Sequence, residues 1–307
     1  MRLGLLGHPV GHSLSPAIHQ AALAALGLAG RFSYGAHDIP PERLGETIAL
    51  LRRGGWRGVN LTHPHKVAVL PLLDDPGPDG RRLGAVNTVV VAPGGRLVGH
   101  STDGPGFVRS LAAWERLEGE TGPSAPRPDS PGDAVLLGAG GAARAIAVAL
   151  AEQGRCVHLI SRRREGAEQV LAVCPAPRRG RWAPWAGARE TEQLLAAADL
   201  LVGCTDLAAG STPGDGAWRL AERAYALLPL FALRPPTKVV DIVYRPTRTP
   251  LLCAAAARGC PTLDGLGMLV EQAALACALW TGMPAPLAAM RQAARQALAV
   301  GSLERKR

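Results

Sequence analysis

The chain has 307 residues, 47% of them hydrophobic, enough for two cores, and no apolar segment approaches the ~20 residues of a membrane span. Its 34 basic and 25 acidic residues give a net charge of +9, but the arginines are spread along the sequence without aromatic interleaving or a nucleic-acid motif. A positive field would equally draw in small anions, a phosphorylated cofactor and a carboxylate among them, and no nucleic-acid or membrane partner is expected.

In chain order, residues 3–7 (LGLLG) form the first strand, followed by a polar loop to Pro16. The opening MRLGLLGHPVGHS is a short strand running into polar residues rather than a signal peptide. Ser15 suits an N-cap, with Pro16 at the first helical position and Gly27 as the stop. Ser13 and His12 have no such local duty, and loop hydroxyls facing a helix N-terminus are ready donors for a carboxylate. Phe32 to His37 is a second strand, Pro41 to Arg53 a helix, and Gly58 to Thr62 a third strand leading into a helix over Val67 to Leu73.

Asn60, Thr62 and Lys66 thus gather at the carboxyl end of a strand, where α/β sheets bind ligands. The chain has only three lysines, Lys66, Lys238 and Lys306, so arginine does the solubilising and a lysine inside NLTHPHK needs another reason. His63 and His65 lack a third metal ligand and read as one solvent-facing and one packed histidine; no metal is expected. Gly84 to Val91 is a loop entering a strand, with a hairpin at Pro93-Gly94-Gly95 and a strand over Leu97 to His100. Asp103 could cap the helix that starts near Pro105, or serve a site. Residues 118–132 (EGETGPSAPRPDSPG) are an exposed connection.

The stretch from Asp133 to Gly154 is strand, glycine turn and helix. The free N–H groups and dipole at such a helix N-terminus can hold a pyrophosphate. Gly138, Gly140 and Ala143 fit G-x-G-x-x-G/A, in which glycine allows a sharp turn and close approach of a phosphate. A second strand, Cys156 to Ile160, ends in Ser161-Arg162-Arg163-Arg164. An NAD site carries an acid there, about 20 residues after the glycines. Three guanidinium groups instead suit a 2′-phosphate, which makes NADP the expected cofactor, with a solvated arginine run as the plain alternative.

Beyond it, Cys174 to Arg181 reads as a loop, Thr191 to Ala197 as a helix and Asp199 to Gly203 as a strand. Residues 208–216 read as a mobile loop, Lys238 to Tyr244 as a buried strand followed by a turn and a helix through Ala257. Helices from Asp264 to Trp280 and from Pro286 to Val300 close the chain. The six cysteines include no C-x-x-C pair and read as small core residues in a reducing cytoplasm. The alternation of strands and helices predicts an α/β protein with a doubly wound sheet.

GHPVGHSLSPAIH, NLTHPHK, GAVNT, STDG, GAGGAARA, DIVYRP and DGLGMLVEQAA occur in the order and spacing of shikimate dehydrogenases, which the chain resembles over nearly its whole length. The resemblance implies NADP-linked interconversion of 3-dehydroshikimate and shikimate, a step of aromatic amino-acid and chorismate synthesis, by a monomer or homodimer. It implies a substrate domain over 1–103 and 265–307, completed by the C-terminal helices, and an inserted Rossmann domain over 104–264. Ser13, Ser15 and Tyr244 would bind the substrate carboxylate. Thr62, Asn87, Asp103 and Gln272 would meet the ring hydroxyls, with Lys66 beside them. The cofactor would lie on Gly138, Ala139, Gly140, Gly141, Ala142, Ser161, Arg162 and Arg163, with Gly265 and Met268 near the nicotinamide.

The chemistry of the residues agrees. Hydride loss from a secondary alcohol needs a group to take the hydroxyl proton, and Lys66 can do so where a desolvated pocket and a cofactor cation favour the neutral amine. Asp103 would orient both. A sibling acting on quinate or an amino-shikimate is the nearest alternative; a catalytically silent dinucleotide-binding regulator is the alternative of another class. The chain departs from the family pattern at Ser101 for Asn, Gly203-Cys204 for Asn-Ala, and Gly166 for Arg.

Overall fold

The computed structural model describes residues 1–121 and 132–303, in two compact units: Met1–Gly106 with Leu269–Arg307, and Phe107–Met268. The chain begins with β1 (Arg2–Gly7), α1 (Ser15–Ala25), β2 (Ser33–Asp38), α2 (Leu44–Arg52), β3 (Trp56–Leu61), α3 (His65–Ala68) and α4 (Gly77–Leu83). It continues through β4 (Thr88–Val91) and β5 (Leu97–His100) to α5 (Asp103–Thr121). These strands form one sheet in the order β2-β1-β3-β4-β5, in which β1 runs parallel to β2 and β3, and β4 is antiparallel to both its neighbours. Alternation along β1 feeds two cores. Leu3 and Leu5 pack with Leu23, Tyr34, Ala276 and Trp280, while Leu6 packs with Ile48, Leu61 and Val89.

The second unit holds β6 (Asp133–Leu137), α6 (Gly141–Glu152), β7 (Cys156–Ser161), α7 (Arg164–Ala172), β8 (Arg179–Pro184) and α8 (Arg189–Ala197). It is completed by β9 (Leu200–Gly203), α9 (Gly216–Ala226), β10 (Lys238–Asp241), α10 (Pro250–Ala256) and β11 (Thr262–Leu263). All six strands are parallel, in the order β11-β10-β9-β6-β7-β8. The chain winds outward from β6 through β7 and β8, then returns to β9 and winds the other way, which makes β6/β9 the switch point of a Rossmann-type sheet. Ala134 to Leu137 are wholly buried, as strands covered on both faces must be. The last helices are α11 (Leu266–Thr281) and α12 (Leu287–Leu303).

Several local expectations need correction. Ser15 is not the cap of α1; it is the first helical residue, and the N-cap position falls on Leu14 without a side-chain bond. The capping hydroxyl is that of Ser13, which accepts the Ser15 N–H at 3.2 Å. The expected strand to Tyr244 stops at Asp241, so Tyr244 lies on the turn that follows. Residues 174–181, expected as a loop, include the start of β8, because the parallel register with β7 supplies pairing that Pro and Arg content hides. Helices α4, α7 and α9 and the two-residue β11 are not anticipated from the sequence, although α7 buries Ala167, Val170 and Leu171, and α9 buries Trp218, Ala221 and Tyr225, at helical spacing. Of the connection expected over 118–132, α5 takes residues through Thr121, and 122–131 lie outside the described residues.

The six cysteines form no disulfide; Cys174, Cys260 and Cys277 are buried, and Cys156, Cys204 and Cys253 are partly exposed. No helix among the described residues is long and apolar enough to cross a membrane.

Candidate active site

The topology of the first sheet gathers polar residues at one end. Parallel β1 and β3 finish there, and antiparallel β4 starts there, with Asn60 paired to Thr88 and Thr88 paired to His100. Residues just after β3, just before β4 and just after β5 are therefore neighbours, although they lie far apart in sequence.

Lys66, in α3, donates from Nζ to Oδ2 of Asp103 at 2.6 Å. Both side chains are largely withdrawn from water, at 21% and 9% exposure, so their attraction is poorly screened. Asn87 Nδ2 donates to the other carboxylate oxygen, Oδ1, at 2.7 Å. The Asn87 side-chain carbonyl in turn accepts from the Thr102 backbone N–H at 2.8 Å and from the hydroxyl of Thr88 at 3.2 Å. Those bonds fix which way the Asn87 amide faces. The expectation that Asp103 caps α5 gives way: its two oxygens face Lys66 and Asn87. Gln272, from α11, reaches the same cluster, with Oε1 accepting from Asn87 Nδ2 at 3.4 Å and Nε2 donating to the Leu269 carbonyl at 2.7 Å. Thr62 is half-buried at the end of β3, its backbone N–H bonded to the Leu6 carbonyl at 3.0 Å.

Asn60, placed at this strand end by the sequence, belongs to the network, as do Thr102 and Thr88, which the sequence reading does not single out. Asn60 Nδ2 donates to Thr88 Oγ1 at 3.0 Å, and its carbonyl accepts from the Tyr34 hydroxyl at 2.8 Å. Thr102 stands next to Asp103 in the STDG motif, and that adjacency was the signal available. At the end of β1, Ser13 Oγ donates to Ser15 Oγ at 3.1 Å; Ser15 is buried and Ser13 half-buried. His63 is exposed, while His65 is buried with Nε2 facing the Ile39 carbonyl at 2.7 Å. Ser101 is buried, and the loop it belongs to still brings Asp103 to Lys66.

In the second unit, the turn from β6 to α6 has the shape a pyrophosphate needs. Gly138 has φ 105°, a conformation that other residues avoid, and a Cβ on it would come 3.0 Å from the Thr205 methyl. Gly140 is the N-cap of α6, and a Cβ built on it would meet nothing within 4 Å. Open space thus lies over the N-terminus that begins Gly141-Ala142, with Ala139 in the turn before it. At the end of β7, Arg162 and Arg163 are exposed and make no ion pair with the described residues. Ser161 is buried instead, its hydroxyl donating to the Arg163 carbonyl at 2.8 Å. Space over a helix N-terminus and two unpaired guanidinium groups fit a dinucleotide carrying a 2′-phosphate.

Gly265 has a packing reason: a Cβ there would lie 1.9 Å from the Ile242 carbonyl oxygen. Met268 is nearly buried in α11. Gly203 also has one, since a Cβ would come 2.7 Å from Leu251 Cδ2 and 3.0 Å from Asp241 Cγ. The larger residue usual in the family would displace that carboxyl, which accepts from Thr249 Oγ1 at 2.7 Å and the Val243 N–H at 3.1 Å. Burial pushes Asp241 up to about 7, against the pull of those two bonds.

Fold and donor set together define an α/β protein that joins a Rossmann-type unit to a second sheet carrying a buried lysine–carboxylate pair. Residues 5–89 match the shikimate dehydrogenase substrate binding domain, and residues 265–295 match the shikimate 5′-dehydrogenase C-terminal domain. The chain is 44% identical over 301 residues to the shikimate dehydrogenase (NADP(+)) of Symbiobacterium thermophilum, covering 96% of this chain and 94% of that protein. It superposes with TM-score 0.78 and 39% identity on shikimate 5-dehydrogenase from Thermus thermophilus in complex with NADP(H) and shikimate, over 97% of this chain and 100% of that one. Quinate dehydrogenase from Corynebacterium glutamicum in complex with NAD gives TM-score 0.77 at 32% identity, over 96% and 99% of the two chains. The chain belongs to the shikimate dehydrogenase family.

Proposed function

We propose that this protein catalyses the reversible NADPH-dependent reduction of 3-dehydroshikimate to shikimate. The observation that carries the reading is the withdrawn pair of Lys66 and Asp103, 2.6 Å apart, in a chain whose near relatives are named shikimate dehydrogenase (NADP(+)). The first unit is the substrate unit and the second the cofactor unit.

NADPH, when bound, supplies the hydride. Lys66 supplies the proton: its ammonium donates one to the ketone oxygen as the carbonyl carbon is reduced, leaving a neutral amine that water reprotonates. In the alcohol-oxidising direction the neutral amine accepts the hydroxyl proton. Asp103 holds Nζ in place and stabilises the ammonium, and Asn87 holds Asp103 by its second oxygen. Ser13 and Ser15 take the substrate carboxylate, and Thr62 and Gln272 meet the ring hydroxyls. Asn87 Nδ2 already faces Asp103, Thr102 and Gln272, so a ring hydroxyl would have to share its two protons.

Gly140, Gly141 and the first turn of α6 hold the pyrophosphate, and Arg162 and Arg163 bind the 2′-phosphate. That arginine pair favours this reading over a quinate enzyme working with NAD. Steady-state assays with shikimate and with quinate, each against NADP and NAD, test it. The expected outcome is the highest kcat/KM with shikimate and NADP; turnover of quinate alone would replace the substrate, and no turnover of either would replace the enzyme by a silent regulator.

A further inference from the structure

One side chain outside the proposed contacts governs the shape of the arginine turn. Trp182 lies in β8, whose register pairs Trp182 with Leu159 and Pro184 with Ser161. Leu159 and Ser161 are two residues apart on β7, so they share a face, and the indole on the neighbouring strand can reach the serine. Trp182 Nε1 donates to Ser161 Oγ at 3.1 Å. That hydroxyl in turn donates a hydrogen bond to the Arg163 carbonyl at 2.8 Å. Arg163 is the extended residue (φ −117°, ψ 120°) immediately before α7, so the relay fixes the backbone from which Arg162 and Arg163 project.

The same indole removes the third arginine from the set. The Arg164 guanidinium lies 5.5 Å above the Trp182 ring, and its Nε donates to Glu168 Oε1 at 2.7 Å. A guanidinium engaged by an aromatic face and a carboxylate one turn along the helix is drawn back along α7, although it stays exposed. Of three consecutive arginines, two make no ion pair with the described residues.

We propose that Trp182 is a positioning residue that sets the preference for the 2′-phosphorylated dinucleotide, by holding the 161–163 turn through Ser161 and by engaging Arg164 with its ring face. This rests on the reading that Arg162 and Arg163 bind the 2′-phosphate. Trp182 acts through Ser161 and the backbone of Arg163, not through a contact of its own with the phosphate.

The test is calorimetric binding of NADP⁺, NAD⁺ and adenosine 2′,5′-bisphosphate to the full chain and three variants. Trp182→Phe keeps a ring beneath Arg164 and removes only the indole N–H. It should weaken NADP⁺ and the bisphosphate by roughly fivefold, the scale of one neutral hydrogen bond, and leave NAD⁺ within about twofold. Ser161→Ala, which removes the relay without touching the packing of the indole, should do the same. Arg162→Ala with Arg163→Ala reports on the underlying reading and should cost at least about tenfold for NADP⁺. If the double variant shows its loss while Trp182→Phe and Ser161→Ala bind NADP⁺ normally, the positioning role is wrong and the arginine reading stands. Equal weakening of NADP⁺ and NAD⁺ by either relay variant also overturns it. If the double variant binds NADP⁺ normally, both ideas fall together.

Discussion

Asn87 Nδ2 donates to Oδ1 of Asp103 at 2.7 Å, and this leaves Oδ2 free to accept from Lys66 Nζ at 2.6 Å. One amide thus decides how the carboxylate faces the ammonium. Asn87→Ala would remove that restraint and leave the buried Thr102 N–H without its acceptor, while the Thr88 hydroxyl keeps its bond from Asn60. Each buried group without a partner costs about 1–3 kcal/mol. The variant should unfold at lower denaturant and lose kcat together. A wild-type kcat in folded Asn87→Ala would show that Asp103 needs no such restraint.

Lys66→Ala should lower kcat by about 10²-fold or more, the usual scale for a positioned acid or base. Substrate KM should change much less, because the lost interaction is mainly one of the transition state. Lys66→Arg should not restore the rate, since guanidinium does not give up its proton at any working pH. Near wild-type turnover in Lys66→Ala would move the proton to Asp103 or to water.

Ser13→Ala should act on binding and on stability at once. The Ser13 hydroxyl accepts the first N–H of α1 and donates to Ser15, so it carries a capping duty as well as the proposed carboxylate contact. Loss of an N-capping hydroxyl costs about 1 kcal/mol, which should appear as a fall of a few degrees in Tm. The KM for shikimate should rise in the same protein. A lowered Tm with unchanged KM would leave Ser13 as a cap alone.

His19 makes stability sensitive to acid. The ring is 1% exposed, stacked on Tyr34 at 4.2 Å between centroids, and its Nε2 has no hydrogen-bond partner. Burial pulls its pKa from 6.5 down to about 3, with the Asn60 side chain opposing the shift. The unfolded chain therefore binds a proton that the folded chain refuses between those values. The stability due to a neutral His19 is complete above pH 6.5 and is lost as the pH falls towards 3. His19→Phe keeps the stacked ring and should flatten this acid limb. Urea midpoints for both proteins at about pH 7 and about pH 4, on either side of the unfolded value, provide the measurement. Equal drops on acidification would place the titration elsewhere.

Much of the architecture was legible in the sequence because its signals are local. The run Ala134 to Leu137 followed by glycines needs no distant partner to be read as strand, turn and helix, and the structure shows Gly138 at φ 105° and α6 starting at Gly141. The lysine in NLTHPHK stood out against a chain that uses arginine almost everywhere else. What the sequence could not supply was the pairing of polar atoms. Ser15 has the chemistry of an N-cap and is not one, because the loop geometry gives that bond to Ser13. Asp103 has the chemistry of a cap, and its carboxylate instead faces Lys66 and Asn87, because β3, β4 and β5 bring three distant loops to one sheet end. Ser161 and Trp182 are 21 residues apart and become neighbours only through the register of β7 with β8. Turn chemistry and hydrophobic period are written into neighbouring residues, so the sequence determined the elements and their class. The direction of each hydrogen bond depends on which strands lie side by side, and only the tertiary structure decided that.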